Sequence, residues 1–182
     1  VKEAIGLEVT DADADSLGAA LYGRFDEVRL SELAWVDGVV ELAGSLRAAG
    51  LRTCIITNGH SEVQHPKVDA LRAHELFDHV IVGGDEVRAG HKEKPDPGIF
   101  QKACALVGAA PGEVVHVGDS LDSDVRGAVD AGLFAAIWVR PAAAKPPREG
   151  QPRPDHEIEA LTELPAVLES LGCAALSTAG PA

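Results

Sequence analysis

The chain has 182 residues, a length that suits one compact domain with room for a small appendage. Hydrophobic residues make up 46% and charged residues 25%, which excludes an extended disordered chain and predicts a soluble globular protein with a sizeable core. A formal charge of −13 argues against nucleic acid or an anionic membrane as partner, and it requires local positive charge wherever an anionic ligand is held. Cys54, Cys104 and Cys173 are odd in number and widely spaced in apolar contexts, the pattern of reduced core thiols rather than a disulfide framework or a zinc site. With no signal-peptide pattern and no apolar run of membrane-spanning length, the expected setting is the cytoplasm.

Residues 1–9 are an ambiguous amphipathic start. Residues 11–27 carry Leu17, Ala20, Leu21 and Phe25 at helical spacing, and a loop follows over 31–37. The run Asp11-Ala-Asp13-Ala-Asp15 has the look of a nucleophile or metal motif, but such a pair is expected after a buried strand. Here Glu8, Thr10 and Asp11 interrupt the preceding run, so a solvated first helical turn is the expectation. A helix over 39–48 turns Val39, Val40, Leu42, Ala43 and Leu46 inward and ends at Gly50, a left-handed cap. A strand over 51–56 then runs into Thr57-Asn58-Gly59-His60-Ser61. Ser61 with Gln64 three residues on is a capping-box signature that opens a helix over 61–73. A hydroxyl, a carboxamide and free amides around a glycine form a phosphate cradle, although an ordinary capped turn accounts for the same residues. His60 and His65 have no partner at metal-ligand spacing and read as surface or capping residues.

Residues 77–82 predict a further strand, followed by a polar loop over 83–93. In Lys94-Pro95-Asp96-Pro97, Pro95 favours an extended Lys94, Asp96 can cap and Pro97 suits a first helical turn. Lys94 is therefore expected just outside a helix spanning 97–107. Residues 114–117 predict a buried strand that stops at Gly118, placing Asp119 on the rim of a sheet. Its oxygens are hard ligands suited to Mg²⁺, while Asp119, Ser120 and Asp122 also suit the cap of the next helix, over 122–131. A strand over 134–139, a proline-rich connection over 141–154, a final helical segment over 157–171 and a frayed tail over 173–182 complete the chain.

Alternating helices and strands predict an α/β fold, a doubly wound parallel, Rossmann-like sheet with helices on both faces. Three successive strand ends carry Thr57-Asn58, then Lys94, then Asp119 with Asp124. The stretches Ile-Ile-Thr-Asn-Gly, Lys-Pro-Asp-Pro-Gly-Ile-Phe and Val-Gly-Asp-Ser-x-x-x-Asp resemble the second, third and fourth motifs of the haloacid dehalogenase superfamily, over about residues 30–140. Within it, Thr57-Asn58-Gly59, Phe77-Asp78, Glu93-Lys94-Pro95 and Glu163-Leu164-Pro165-Ala166-Val167-Leu168 are similar to the N-acylneuraminate-9-phosphatase family.

The resemblance implies Mg²⁺-dependent hydrolysis of a phosphate monoester through a phospho-aspartyl intermediate, with a small-molecule sugar phosphate as substrate, N-acylneuraminate 9-phosphate foremost. Asp119 would hold Mg²⁺, Thr57 and Asn58 the phosphoryl oxygens, and Lys94 the developing charge. Asp124 would steady Lys94 or a metal-bound water. It also implies a helical-cap remnant over 1–30 and a catalytic core over 31–172. The family's first motif, a strand ending in Asp-x-Asp, is not found, so the expectation is a chain without its nucleophile and a sheet whose missing central strand leaves its neighbours unpaired or forced together. A capless phosphatase using Asp13 and Asp15, and an inactive phosphate-binding or regulatory module, are the alternatives. The sequence leaves the oligomeric state open.

Overall fold

A computed structural model of the chain describes residues 11–140 and 147–173. The expected start over 1–9 and, beyond Cys173, the tail lie outside the described residues. The chain divides into two compact units, Val1–Ala34 and Trp35–Ala182. In the first, helix α1 (Asp11–Ser31) extends past its predicted end and carries Arg29 in its last turn, where a cation suits the helix dipole. The Asp11–Asp15 acids lie in the opening turns of this helix. Leu17 and Leu21, one helical turn apart, are 59% and 62% exposed.

The second unit alternates helix and strand: α2 (Val39–Ala48), β1 (Cys54–Thr57), α3 (Ser61–Ala70), α4 (Ala73–Leu76), β2 (His79–Val82), α5 (Gly83–Arg88), α6 (Pro97–Val107) and β3 (Val115–Gly118). A π-helical turn, Leu121–Val125, leads into α7 (Arg126–Asp130), followed by β4 (Ala135–Val139), β5 (His156–Ile158) and α8 (Leu164–Ser170). Helices α2 and α6 match their predicted bounds, because their ends are written in the sequence. Asp96 Oδ1 accepts the Gly98 N–H at 3.0 Å, Pro97 occupies the first turn, and Gly50 and Gly108 adopt φ of 76° and 71° just past the C-termini.

Four expectations are corrected. The polar loop over 83–93 contains α5, a helix obscured by its opening Gly-Gly. The helix over 61–73 breaks at Arg72, in the left-handed region at φ 50°, before α4. The expected Ser61–Gln64 capping box does not form: His60 is the N-cap, and Gln64 Nε2 donates to the Asn58 carbonyl at 2.8 Å. The helix over 157–171 gives way at its start to β5, whose pairing with the edge of β4 overrides local preference, so α8 begins only at Leu164.

Every ladder is parallel, as a helix-strand alternation requires. The strands form two sheets, β1-β2 and β3-β4-β5, and among the described residues β1 and β3 do not pair with each other. Side chains alternate across β4, so Ala136 and Trp138 face one core while Ile137 faces the other. The first core joins Ile99, Phe100 and Ala103 of α6 to Ala128 of α7, with Ile56 and Ile81 from the other sheet. The second packs Leu42 and Leu46 of α2 and Leu164 and Leu168 of α8 against Val115, Val117 and Ile158. The sheets therefore share the α6–α7 layer, and helices cover both faces of β3-β4-β5.

Candidate active site

Thr57 and Asn58 lie at the carboxyl end of β1, and Asp119 follows β3. Lys94 instead precedes α6, with α5 separating it from the strand end at which the sequence had placed it, and Asp124 sits in the π-helical turn. On β1, the Thr53 carbonyl accepts the His79 N–H of the β2 side at 3.1 Å, so strand alternation turns the Ile56 carbonyl toward the opposite, unpaired edge. Lys94 Nζ lies on that carbonyl at 2.9 Å, and it donates to Asp124 Oδ1 at 2.7 Å. Both side chains are withdrawn from solvent, at 11% and 5% exposure.

Lys94 is fixed at its main chain as well. Asn58 Oδ1 accepts the Lys94 N–H at 3.0 Å and Asn58 Nδ2 donates to the Lys94 carbonyl at 2.8 Å. The Asn58 carboxamide is thus spent on Lys94, which departs from the expectation that it would face phosphoryl oxygens. Lys94 and Pro95 form a turn with a cis peptide, immediately before α6. Thr57 ends β1, opposite Val82, and its hydroxyl makes no hydrogen bond among the described residues.

Asp124 sits in the π-helical turn, a feature often found where a helix is reshaped for a site. Its Oδ2 accepts the Ser120 N–H at 3.0 Å, and its Oδ1 also meets His116 Nε2 at 3.1 Å. Burial works to raise its pKa, but the His116 hydrogen bond and the Lys94 charge outweigh burial and hold the carboxyl well below its ordinary range. Gly118 makes this approach possible, since a Cβ there would lie 2.3 Å from Asp124 Cγ. Ser120 Oγ caps the turn by accepting the Ser123 N–H at 3.2 Å.

Asp119 is held differently. Its carbonyl accepts Trp138 Nε1–H at 2.9 Å, which fixes the backbone at the end of β3. The residue is exposed, and its carboxylate makes no hydrogen bond among the described residues. A free, hard carboxylate fits a largely hydrated Mg²⁺, which needs only one or two protein carboxylates when phosphate oxygens complete its shell. Among the described residues no cluster of three His, Cys, Asp or Glu side chains is arranged for a metal.

Glu93 and His116 belong to this constellation, and sequence reading had not assigned them a role. Glu93 Oε2 accepts the Gly59 N–H at 2.9 Å, and His116 packs edge-on against Phe100 with ring centroids 4.9 Å apart. Only adjacency to Lys94, for Glu93, and the alternation of β3, for His116, signalled either one. Asp13 and Asp15 lie in α1, in the other unit. No described helix is long and apolar enough to cross a membrane.

Comparison with known proteins identifies the family. A family model for haloacid dehalogenase-like hydrolases matches residues 3–132. N-acylneuraminate-9-phosphatase from Mus musculus is 33% identical over 172 residues, covering 94% of this chain and 67% of the relative. Glyceraldehyde 3-phosphate phosphatase from Methanopyrus kandleri is 33% identical over 159 residues, covering 85% of this chain and 65% of the relative. The crystal structure of a phosphatase of the same superfamily from Thermococcus onnurineus superposes with a TM-score of 0.63 at 32% identity, over 73% of this chain and 57% of that one. The chain thus spans a little over half the length of that solved relative, and it belongs to the haloacid dehalogenase-like hydrolase family.

Proposed function

We propose that this chain forms the core of a Mg²⁺-dependent phosphate monoester hydrolase acting on a sugar phosphate, with N-acylneuraminate 9-phosphate as the substrate suggested by its similarity to the phosphatases of that name. The observation that carries the reading is the position of Lys94 Nζ, 2.9 Å from the Ile56 carbonyl on the edge of β1 turned away from β2 and 2.7 Å from Asp124 in the π-helical turn that follows β3. A cation desolvated there can neutralise a phosphoryl group in a chain that otherwise carries an excess of negative charge. In this reading the unbonded Thr57 hydroxyl and the Asn58 N–H hold phosphoryl oxygens. Asp124 keeps Lys94 charged and aimed, and Asp119 holds Mg²⁺. The ion, when bound, supplies Lewis-acid stabilisation of phosphoryl charge.

A phospho-aspartyl route needs a nucleophilic carboxylate besides Asp119. Among the described strands only β3 is followed by an aspartate, since Asn58, Gly83, Arg140 and Glu159 follow the others. A strand paired to the edges of β1 and β3 that are unpaired among the described residues would carry one in this reading. Without it the site is a phosphate-binding module.

The deciding experiment measures phosphate release from N-acetylneuraminate 9-phosphate with and without Mg²⁺, beside Asp119→Asn and Asp13→Asn. Mg²⁺-dependent turnover abolished by Asp119→Asn supports the hydrolase reading, and a further loss with Asp13→Asn would assign the nucleophile to α1. Phosphate binding without turnover would identify a binding module. A chain that neither binds phosphate nor releases it defeats both.

A further inference from the structure

We propose that Glu93 is a positioning residue that locks the turn after β1 to Lys94, a role that rests on the phosphate-site reading above. Its carboxylate takes the Gly59 N–H at 2.9 Å, an amide beside the turn that would otherwise face an incoming anion. A carboxylate so close to an anion site works against binding unless it serves the geometry.

The geometry is specific. Residues 58–59 and 93–94 are joined by three parallel hydrogen bonds: Gly59 N–H to Glu93, the Lys94 N–H to Asn58 Oδ1, and Asn58 Nδ2 to the Lys94 carbonyl. The Gly59 peptide is gripped from its other side too, because the Gly84 N–H donates to the Gly59 carbonyl at 3.0 Å. Gly59 itself has φ 113°, where a side chain would be strained, so the turn depends on external bonds to keep its shape. Gly83, at the end of β2, leaves the room Glu93 needs. A Cβ there would lie 2.8 Å from both Glu93 Cβ and Glu93 Oε2, and 3.2 Å from Asn58 Cα. Glu93 thus couples the cradle to the cation, so that neither relaxes away from the other when the site is empty.

The test measures binding of inorganic phosphate in the presence of Mg²⁺ by calorimetry, on the full chain and at temperatures where each variant is folded, together with hydrogen exchange at the Gly59 amide. Glu93→Ala should weaken phosphate binding about tenfold and speed Gly59 exchange by at least a similar factor. Glu93→Gln, which keeps an acceptor oxygen, should stay within about twofold of the parent on both readouts. Gly83→Ala, whose methyl group would press on Glu93 and displace its carboxylate from the Gly59 N–H, should reproduce Glu93→Ala with the carboxylate still in the chain. Unchanged phosphate affinity and exchange in Glu93→Ala overturn the proposal, as does a Glu93→Gln variant as impaired as Glu93→Ala. Lys94→Ala separates the two levels of inference: if it leaves phosphate affinity unchanged, the phosphate-site reading itself fails. If Lys94→Ala abolishes binding while Glu93→Ala preserves it, only the role of Glu93 is lost.

Discussion

Lys94 and Asp119 stand near neighbouring strand ends and are held in opposite ways. The N–H, the carbonyl and the ammonium of Lys94 all have partners, whereas Asp119 is held through its carbonyl and leaves its carboxylate exposed and, among the described residues, without a hydrogen bond. The cation is part of the folded architecture, and the anion is left for something that arrives. The difference separates stability from ligand binding: disturbing the first should do damage to both, and disturbing the second should alter binding alone.

The most damaging change is Lys94→Ala, which strands a buried carboxylate. Removing one partner of such a pair costs about 3–5 kcal/mol, so urea denaturation should register a large loss of stability along with lost phosphate binding. A stability change within about 0.5 kcal/mol would mean that His116 and the Ser120 amide suffice for Asp124. Next comes Gly118→Ala, whose methyl group would collide with the Asp124 carboxyl and displace it from Lys94. About 1–3 kcal/mol of destabilisation is expected, read from the same denaturation curves.

Acid should erode the same pair. Because the folded pKa of Asp124 is depressed, the unfolded chain takes up its proton more readily. The contribution of this carboxylate is full above the ordinary carboxylate range, near about pH 4, and is lost as pH falls through that range toward the depressed folded value. Thermal melts across that interval should show a steeper decline in the parent than in Asp124→Asn, and equal slopes would remove Asp124 from the account. Asp119→Asn completes the comparison with the smallest effect on stability, within about 0.5 kcal/mol, while Mg²⁺-dependent phosphate binding disappears. A large drop in melting temperature would show that Asp119 is structural after all.

Local rules explain what was legible in the sequence. Pro97, Asp96 and Gly108 announce the two ends of α6, and Gly50 announces the end of α2, because caps and left-handed turns act through neighbours in sequence. The motifs around Thr57 and Asp119 identify the ends of β1 and β3 for a similar reason. What escaped depends on contacts between distant segments. The strand β5 is three residues long and exists through the edge of β4, while α5 begins with glycines whose value lies in close approach rather than helix propensity. The use of the Asn58 carboxamide was equally hidden, since its partner is 36 residues away in the chain. The separation of β1-β2 from β3-β4-β5 among the described residues, with the α6–α7 layer as their common support, likewise rests on contacts between distant segments.

The bond from Lys94 to the Ile56 carbonyl has a consequence for solubility. An unpaired strand edge is a template for adding strands from other molecules, and charged side chains are a common guard against it. Lys94 covers one acceptor of that template on β1 with a positive charge. A lysine suited to holding phosphate therefore also discourages self-association, and its loss should be visible as concentration-dependent aggregation of folded protein.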